Sequence, residues 1–197
     1  MDSTGPALRD RRDDRVTDAE IGRLGMRLFL ASLGMLFGAG LLGHLVIRLR
    51  QPTWPPEGAP ALPAGLWVST ALLVITSVAV WQAERAARDD RTGQLQGWLL
   101  ATLGLGVGFL VMQILNWRTM AIAVQAGGQD LFTFSYWMLT VLHGLHVVGG
   151  LVPLVVASVR AGTGRYGSLN TVPIHNIALY WHFLGVTWAA ILAVLLV

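Results

Sequence analysis

Five stretches of this chain contain no Asp, Glu, Lys or Arg: residues 28–47, 58–83, 92–117, 131–159 and 166–197. A bilayer core about 30 Å thick needs roughly 20 mostly apolar helical residues to cross it. Each stretch meets that length. Charged residues make up 13% of the chain, against about 25% in a soluble domain. The first 27 residues hold 12 of the 25 charged side chains. What remains is too little to solvate the surface of a soluble globule. The apolar runs show no period of two, which membrane barrel strands would require. The sequence therefore predicts an all-α, polytopic membrane bundle of five helices, near 24–47, 63–82, 95–117, 131–159 and 172–197. Residues 23–197 form one transmembrane domain under this reading. Residues 1–22 form a polar, mobile cytoplasmic tail with at most a helical turn near Thr17–Glu20. The tail has neither the short basic head nor the early apolar run of a secretory signal.

All 14 basic residues are Arg. They gather in the tail and in short loops and make no dense stripe. A nucleic-acid partner is not expected, and the arginines read as topology signals. One side of the membrane collects eleven of them, from the tail, Glu84–Arg91 and Arg160–Arg165. The other side has Arg48, Arg50 and Arg118. The positive-inside rule then puts the N-terminus in the cytoplasm, and five crossings put the C-terminus outside. Trp67 and Trp81 bracket the second span, and Trp98 and Trp117 the third, as an aromatic belt does. The Pro-rich segment after the first span predicts a stiff, extended external loop. The chain has no Cys, which excludes disulfides, thiolate metal sites and a Cys nucleophile.

No acid lies deep in a span, which argues against a carboxylate-based ion transporter. The intramembrane polar candidates are His44, His143, His146, His175, His182, Gln113 and Asn116. His143 and His146 share one face of the fourth helix. His182 falls at a depth similar to that of His146 at ~1.5 Å per residue, so the two are candidates to face each other. Three readings fit the histidines. A pair from different helices can ligate haem, as in a b-type cytochrome with bis-His ligation. Neighbouring imidazoles can bind a transition metal, although no carboxylate stands by to orient them. Neutral imidazoles can also hydrogen-bond between helices or to lipid headgroups. Gln113 and Asn116 suit a bond to another span. His44 and His175 lie near opposite membrane faces and read as interfacial. Gly34 with Gly38, and Gly104 with Gly108, have the spacing that lets helices approach closely. No phosphate loop, HExxH or nucleophile elbow occurs, so an autonomous enzyme with catalytic residues of its own is not expected.

Four segments in order resemble a known family. They are Arg23-Leu24-Gly25-Met26 with Leu28–Ser32 and Met35-Leu36-Phe37; Trp54-Pro55-Pro56 with Leu62-Pro63; His143-Gly144-Leu145-His146-Val147 after Phe132-Thr133-Phe134; and Tyr180-Trp181-His182-Phe183 with Val186 and Trp188. The chain resembles subunit III of the haem–copper terminal oxidases, in its short five-helix form. The resemblance implies a non-catalytic subunit of a complex that couples oxygen reduction to proton translocation in aerobic electron transport. It implies a bacterial cytoplasmic (inner) membrane, with subunit I as the main contact and subunit II and other subunits as further partners. Haems and copper then belong to partner subunits, no cofactor belongs to this chain, and bound phospholipid is expected. His143, His146, Tyr180, Trp181, His182, Gln113 and Asn116 become the lipid- or subunit-contact candidates, with Tyr180 and Trp181 placed against lipid. Four acids usual in the family are replaced here by Leu33, Asn116, His175 and Gly185. Their absence also fits a divergent branch, the subunit III-like accessory protein of a nitric oxide reductase.

Overall fold

A computed structural model describes the backbone of residues 5–127, 131–163 and 171–196. Five helices account for nearly all of it: α1 (Gly5–Arg50), α2 (Gly65–Arg88), α3 (Thr92–Gly127), α4 (Leu131–Gly162) and α5 (Val172–Leu196). Each contains a segment long and apolar enough to cross a membrane. Backbone polar groups have no water to bond inside a bilayer, so a spanning chain satisfies them within its own helix. This requirement explains why the charge-free stretches are helical throughout. α1 reaches back to Gly5, so the segment expected as a tail with one turn is continuous with the first span.

Helix ends follow the charges. Arg48 and Arg50 close α1, Arg85 and Arg88 close α2, and Arg160 lies in the last turn of α4. Cations there oppose the negative end of the helix dipole. The α2–α3 turn is tight. Asp90 takes a left-handed backbone (φ 54°), which Asp tolerates better than most residues. The Arg91 N–H returns to the Ala86 carbonyl at 2.9 Å, and Arg91 pairs with Asp89.

α2 and α3 therefore form an antiparallel hairpin with the most extensive interface of the bundle. α3 continues onto α4, and α4 onto α1. The order α1, α4, α3, α2 makes an arc around α5, which packs on α1, α2 and α4 and reaches α3 through Trp181. No substantial interface joins α1 to α2, so the arc is open there. The outward faces carry exposed Leu, Val, Ile, Met and Trp side chains, among them Met35, Val78, Val152 and Val186.

Close approach is set by glycines other than the expected ones. A Cβ on Gly38, Gly104 or Gly108 meets nothing within 4 Å, and one on Gly34 only grazes Phe183 at 4.0 Å. Both expected pairs therefore face open space for the most part. The hollows lie at Gly106, where a Cβ would stand 2.6 Å from the Trp181 ring, and at Gly150, where it would stand 2.6 Å from the Tyr180 ring. Spacing alone could not separate these positions, because the i, i+4 rule does not say which face a helix presents.

Gly106→Ala should cost about 1–3 kcal/mol through overpacking against Trp181. Gly108→Ala should stay within about 0.5 kcal/mol. Thermal unfolding of the two variants in detergent checks the contrast.

Candidate functional site

The α4 and α5 motifs meet at one end of the arc. His143 is fully buried. Three rings enclose it: Phe37 at 6.1 Å, Phe109 edge-on at 5.6 Å and Trp188 at 5.2 Å between centroids. Neither ring nitrogen has a hydrogen-bond partner among the described residues. His143 is thus a packing element inside the chain.

His146 stands one turn further along α4. Its Nδ1 lies 2.8 Å from the Leu142 carbonyl. A carbonyl only accepts, so Nδ1 carries the proton. The Tyr180 hydroxyl donates to the His146 carbonyl at 2.7 Å, and the Tyr180 ring stacks on Phe29 at 6.1 Å. Together they line a groove of about 400 Å³ between α1, α4 and α5, with Met26, Leu145 and Pro153 on its walls. The groove is apolar apart from these two side chains.

Trp181 is 1% exposed and fills the hollow over Gly106. The ring is spent on helix packing within the chain. His182 projects on the other side of α1. It shares a helical stripe with Val186, Ala189 and Ala193, which are exposed in the α1–α2 opening. His146 and His182 therefore look into different spaces and do not face each other as their depths suggested. Depth along a helix fixes one coordinate; the angle around it, 100° per residue, fixes the other. Among the described residues no three His, Asp or Glu side chains come together.

Gln113 and Asn116 are both buried. Asn116 Nδ2 donates to Ser69 Oγ on α2 at 3.1 Å, the bond to another span that their positions suggested. Asn116 Nδ2 also lies 3.5 Å from the Gln113 Oε1.

The structure gives four residues roles that the sequence reading did not: His44, Trp54, Trp117 and Glu84. His44 is fully buried rather than interfacial. Its Nε2 donates to the Val194 carbonyl at 3.0 Å, and its Nδ1 meets Ser135 Oγ at 2.8 Å. One imidazole thus ties α1 to both α4 and α5. The signal was present: Leu33, Phe37, Gly40 and His44 form one stripe at helical spacing. Trp54 leaves the Pro-rich loop and packs edge-on against His44 at 5.3 Å and Phe132 at 5.4 Å. The loop is thereby anchored on the bundle. Trp117 also turns inward, its Nε1 donating to Thr140 Oγ1 at 3.0 Å.

Glu84 lies in the last turns of α2. Its Oε1 accepts from His175 Nδ1 at 2.7 Å and from Arg88. The acid usual at position 175 in the resembled family is here a His, and its carboxylate partner comes from the neighbouring helix.

Comparison with known proteins agrees with the motifs. The family model described as Cytochrome c oxidase subunit III matches residues 15–196. Cytochrome c oxidase subunit 3 of Synechocystis is 29% identical over 171 residues, covering 86% of this chain and 72% of its own. That of Thermostichus vulcanus is 27% identical over 87% of this chain and 85% of its own. Cytochrome bo(3) ubiquinol oxidase subunit 3 of Pseudomonas aeruginosa is 29% identical over 86% of this chain and 81% of its own.

His44→Leu leaves the Val194 carbonyl without its His44 donor and the Ser135 hydroxyl with only the Phe132 carbonyl, at a cost of about 1–3 kcal/mol. His143→Leu removes no hydrogen bond to a described residue and should cost less. Detergent unfolding midpoints of the two variants decide the order. A larger shift for His143→Leu overturns this assignment.

Proposed function

The chain belongs to the cytochrome c oxidase subunit III family, and on that premise we propose that it serves as a structural subunit III of a respiratory haem–copper oxidase. The match over nearly the whole chain carries this reading, because it includes the HGLHV and YWHF segments on two helices that pack together. In the proposed complex this chain packs on subunit I, with subunit II and other subunits nearby. Haem and copper chemistry belongs to those partners. The chain contributes a five-helix membrane body, residues 23–197, in a bacterial cytoplasmic membrane. The arginine distribution supports a cytoplasmic N-terminus.

The α1–α4–α5 groove is the proposed phospholipid site. It is apolar where an acyl chain needs it, and it presents the Tyr180 hydroxyl and the His146 ring as its polar groups. An amphipathic aromatic beside a polar imidazole suits the glycerol region of a lipid. His182, facing the α1–α2 opening, is proposed as a contact to lipid or to a neighbouring subunit. Asn116 acts from inside, by holding α2 and α3 in register through Ser69, with Gln113 beside it on α3.

A second reading rests on the four missing acids at Leu33, Asn116, His175 and Gly185: the accessory chain of a nitric oxide reductase. The two separate by partner and by induction. Tagged chain purified in mild detergent from its native membrane should bring a haem–copper oxidase subunit with it. Purification without one overturns the first reading, and expression unresponsive to nitrate or nitric oxide overturns the second.

Gly149 lines the groove, and a Cβ there lies 3.8 Å from the Tyr180 hydroxyl. Gly149→Leu should fill the groove while sparing the buried core. The expected result is an assembled complex with an unchanged initial oxygen-reduction rate, less bound phospholipid and a turnover lifetime shortened several-fold. Lipid analysis alongside an oxygen-electrode time course measures both.

A further inference from the structure

We propose that the inner end of the α1–α4–α5 groove binds the ring of an isoprenoid quinol and discriminates against the oxidised quinone. The proposal rests on the groove being open to molecules dissolved in the bilayer, as above. It adds a ligand whose hydrogen bonding a phospholipid does not reproduce at this place.

The first support is the polarity of the wall. His146 Nδ1 spends its proton on the Leu142 carbonyl. That leaves Nε2 as a lone-pair acceptor, with no donor among the described residues. Tyr180 spends its hydroxyl proton on the His146 carbonyl, so its oxygen is left to accept. A third acceptor comes from the backbone. Pro153 lies inside α4 and has no N–H. The carbonyl of Gly149, one turn earlier, therefore lacks its usual helical donor. Gly149 and Pro153 both line this groove. Three acceptors and no free donor thus border an apolar space of about 400 Å³. A buried acceptor left unpaired is costly, and a ligand that brings hydroxyl groups removes that cost.

The second support is depth. Tyr180 stacks on Phe29, close to the charged entry of α1. His146 instead packs on Phe37, at 5.0 Å between ring centroids. Phe37 stands ten residues beyond Arg27, ~15 Å along the helix, near the middle of a core about 30 Å thick. A phospholipid with its glycerol region at Tyr180 passes His146 with an acyl chain alone, and Nε2 stays unpaired. An isoprenoid quinol is apolar enough to enter the core entirely, so its hydroxyls reach that depth.

The third support is shape. Phe29 and Tyr180 offer flat aromatic surface, which suits a planar ring through offset or edge contacts. His146 and Gly149 stand at i and i+3 on one face of α4, so their two acceptors are neighbours. A quinol carries two hydroxyl donors on one ring. The matching quinone has the same ring and the same tail, but carbonyl oxygens stand where the hydroxyls were. It would set acceptor against acceptor. Each pairing lost in this way corresponds to roughly a tenfold loss of affinity. The groove therefore reads the redox state of the ligand without taking part in its oxidation.

The test uses the full chain in detergent micelles under argon, where no other subunit supplies a quinone site. The probes are a short-tailed ubiquinol and the matching ubiquinone. Equilibrium gel filtration, with empty micelles as the blank, measures how much of each is bound. The wild type should hold the quinol roughly tenfold tighter than the quinone, or more, and this arm needs no variant to fold. His146→Phe keeps a ring in the wall and removes its acceptor. Pro153→Ala returns an N–H to the Gly149 carbonyl. Each should weaken quinol binding roughly tenfold and leave quinone binding unchanged. Equal affinity for the two redox forms overturns the proposal, as does a quinol preference that survives both variants. Phospholipid retained by the wild type and lost in Gly149→Leu, with no quinol bound, overturns it while the phospholipid reading stands. Quinol binding lost in Gly149→Leu, with phospholipid retention untouched, upholds it and sinks that reading.

Discussion

The architecture depends on the fit of two α5 rings into hollows on its neighbours. Lipid offers no hydrophobic drive to bring apolar helices together, so contact must come from close packing and a few polar ties. Trp181 over Gly106 and Tyr180 over Gly150 supply the close packing. With these in place α5 touches all four other helices. The polar ties are sparse and specific: Asn116 to Ser69, Trp188 to Thr70, Trp117 to Thr140 and His44 to Val194. Each joins different helices, so each opposes a sliding motion that packing alone would permit.

The histidines show how one residue type is used in three ways within a single bundle. His44 is a cross-brace between helices. His143 is an aromatic-like filler within a cage of rings. His146 bonds to its own helix and forms part of a groove wall. None of these uses needs a charged imidazole in the bilayer, where a charge is costly. His175 differs because it sits at the helix boundary, where a carboxylate can meet it.

Much of the fold is legible in the sequence because the bilayer imposes a single strong filter. Charge-free length gives five helices directly, and the span limits agree with α2 to α5 to within a few residues at most ends. The family was legible because HGLHV and YWHF are dense local patterns. The site was much less so. Trp181 and His143 look like lipid-facing groups in one dimension, since a polar or amphipathic residue in a span suggests an interface. Only the rotation of each helix about its own axis shows that both point inward. The same missing angle placed His146 opposite His182 and singled out the wrong glycines. Glu84 was passed over because its partner lies 91 positions away, and no local pattern encodes such a distance.

The loose attachment of α1 has a consequence for how the chain is made. α1 leaves the ribosome first, but the helices it rests on come last. Its His44 waits for Ser135 and for Val194, which lies 150 positions later. At synthesis rates of roughly 5–20 residues per second, that interval lasts on the order of 10–30 s. During this time a polar imidazole sits in the membrane without its final partners. Something must shelter it, whether the insertion machinery, a temporary neighbour or a shallow position near the interface. The N-terminal helix is therefore the part of the bundle most exposed to error during biogenesis, and the closing of α5 is the step that ends its risk.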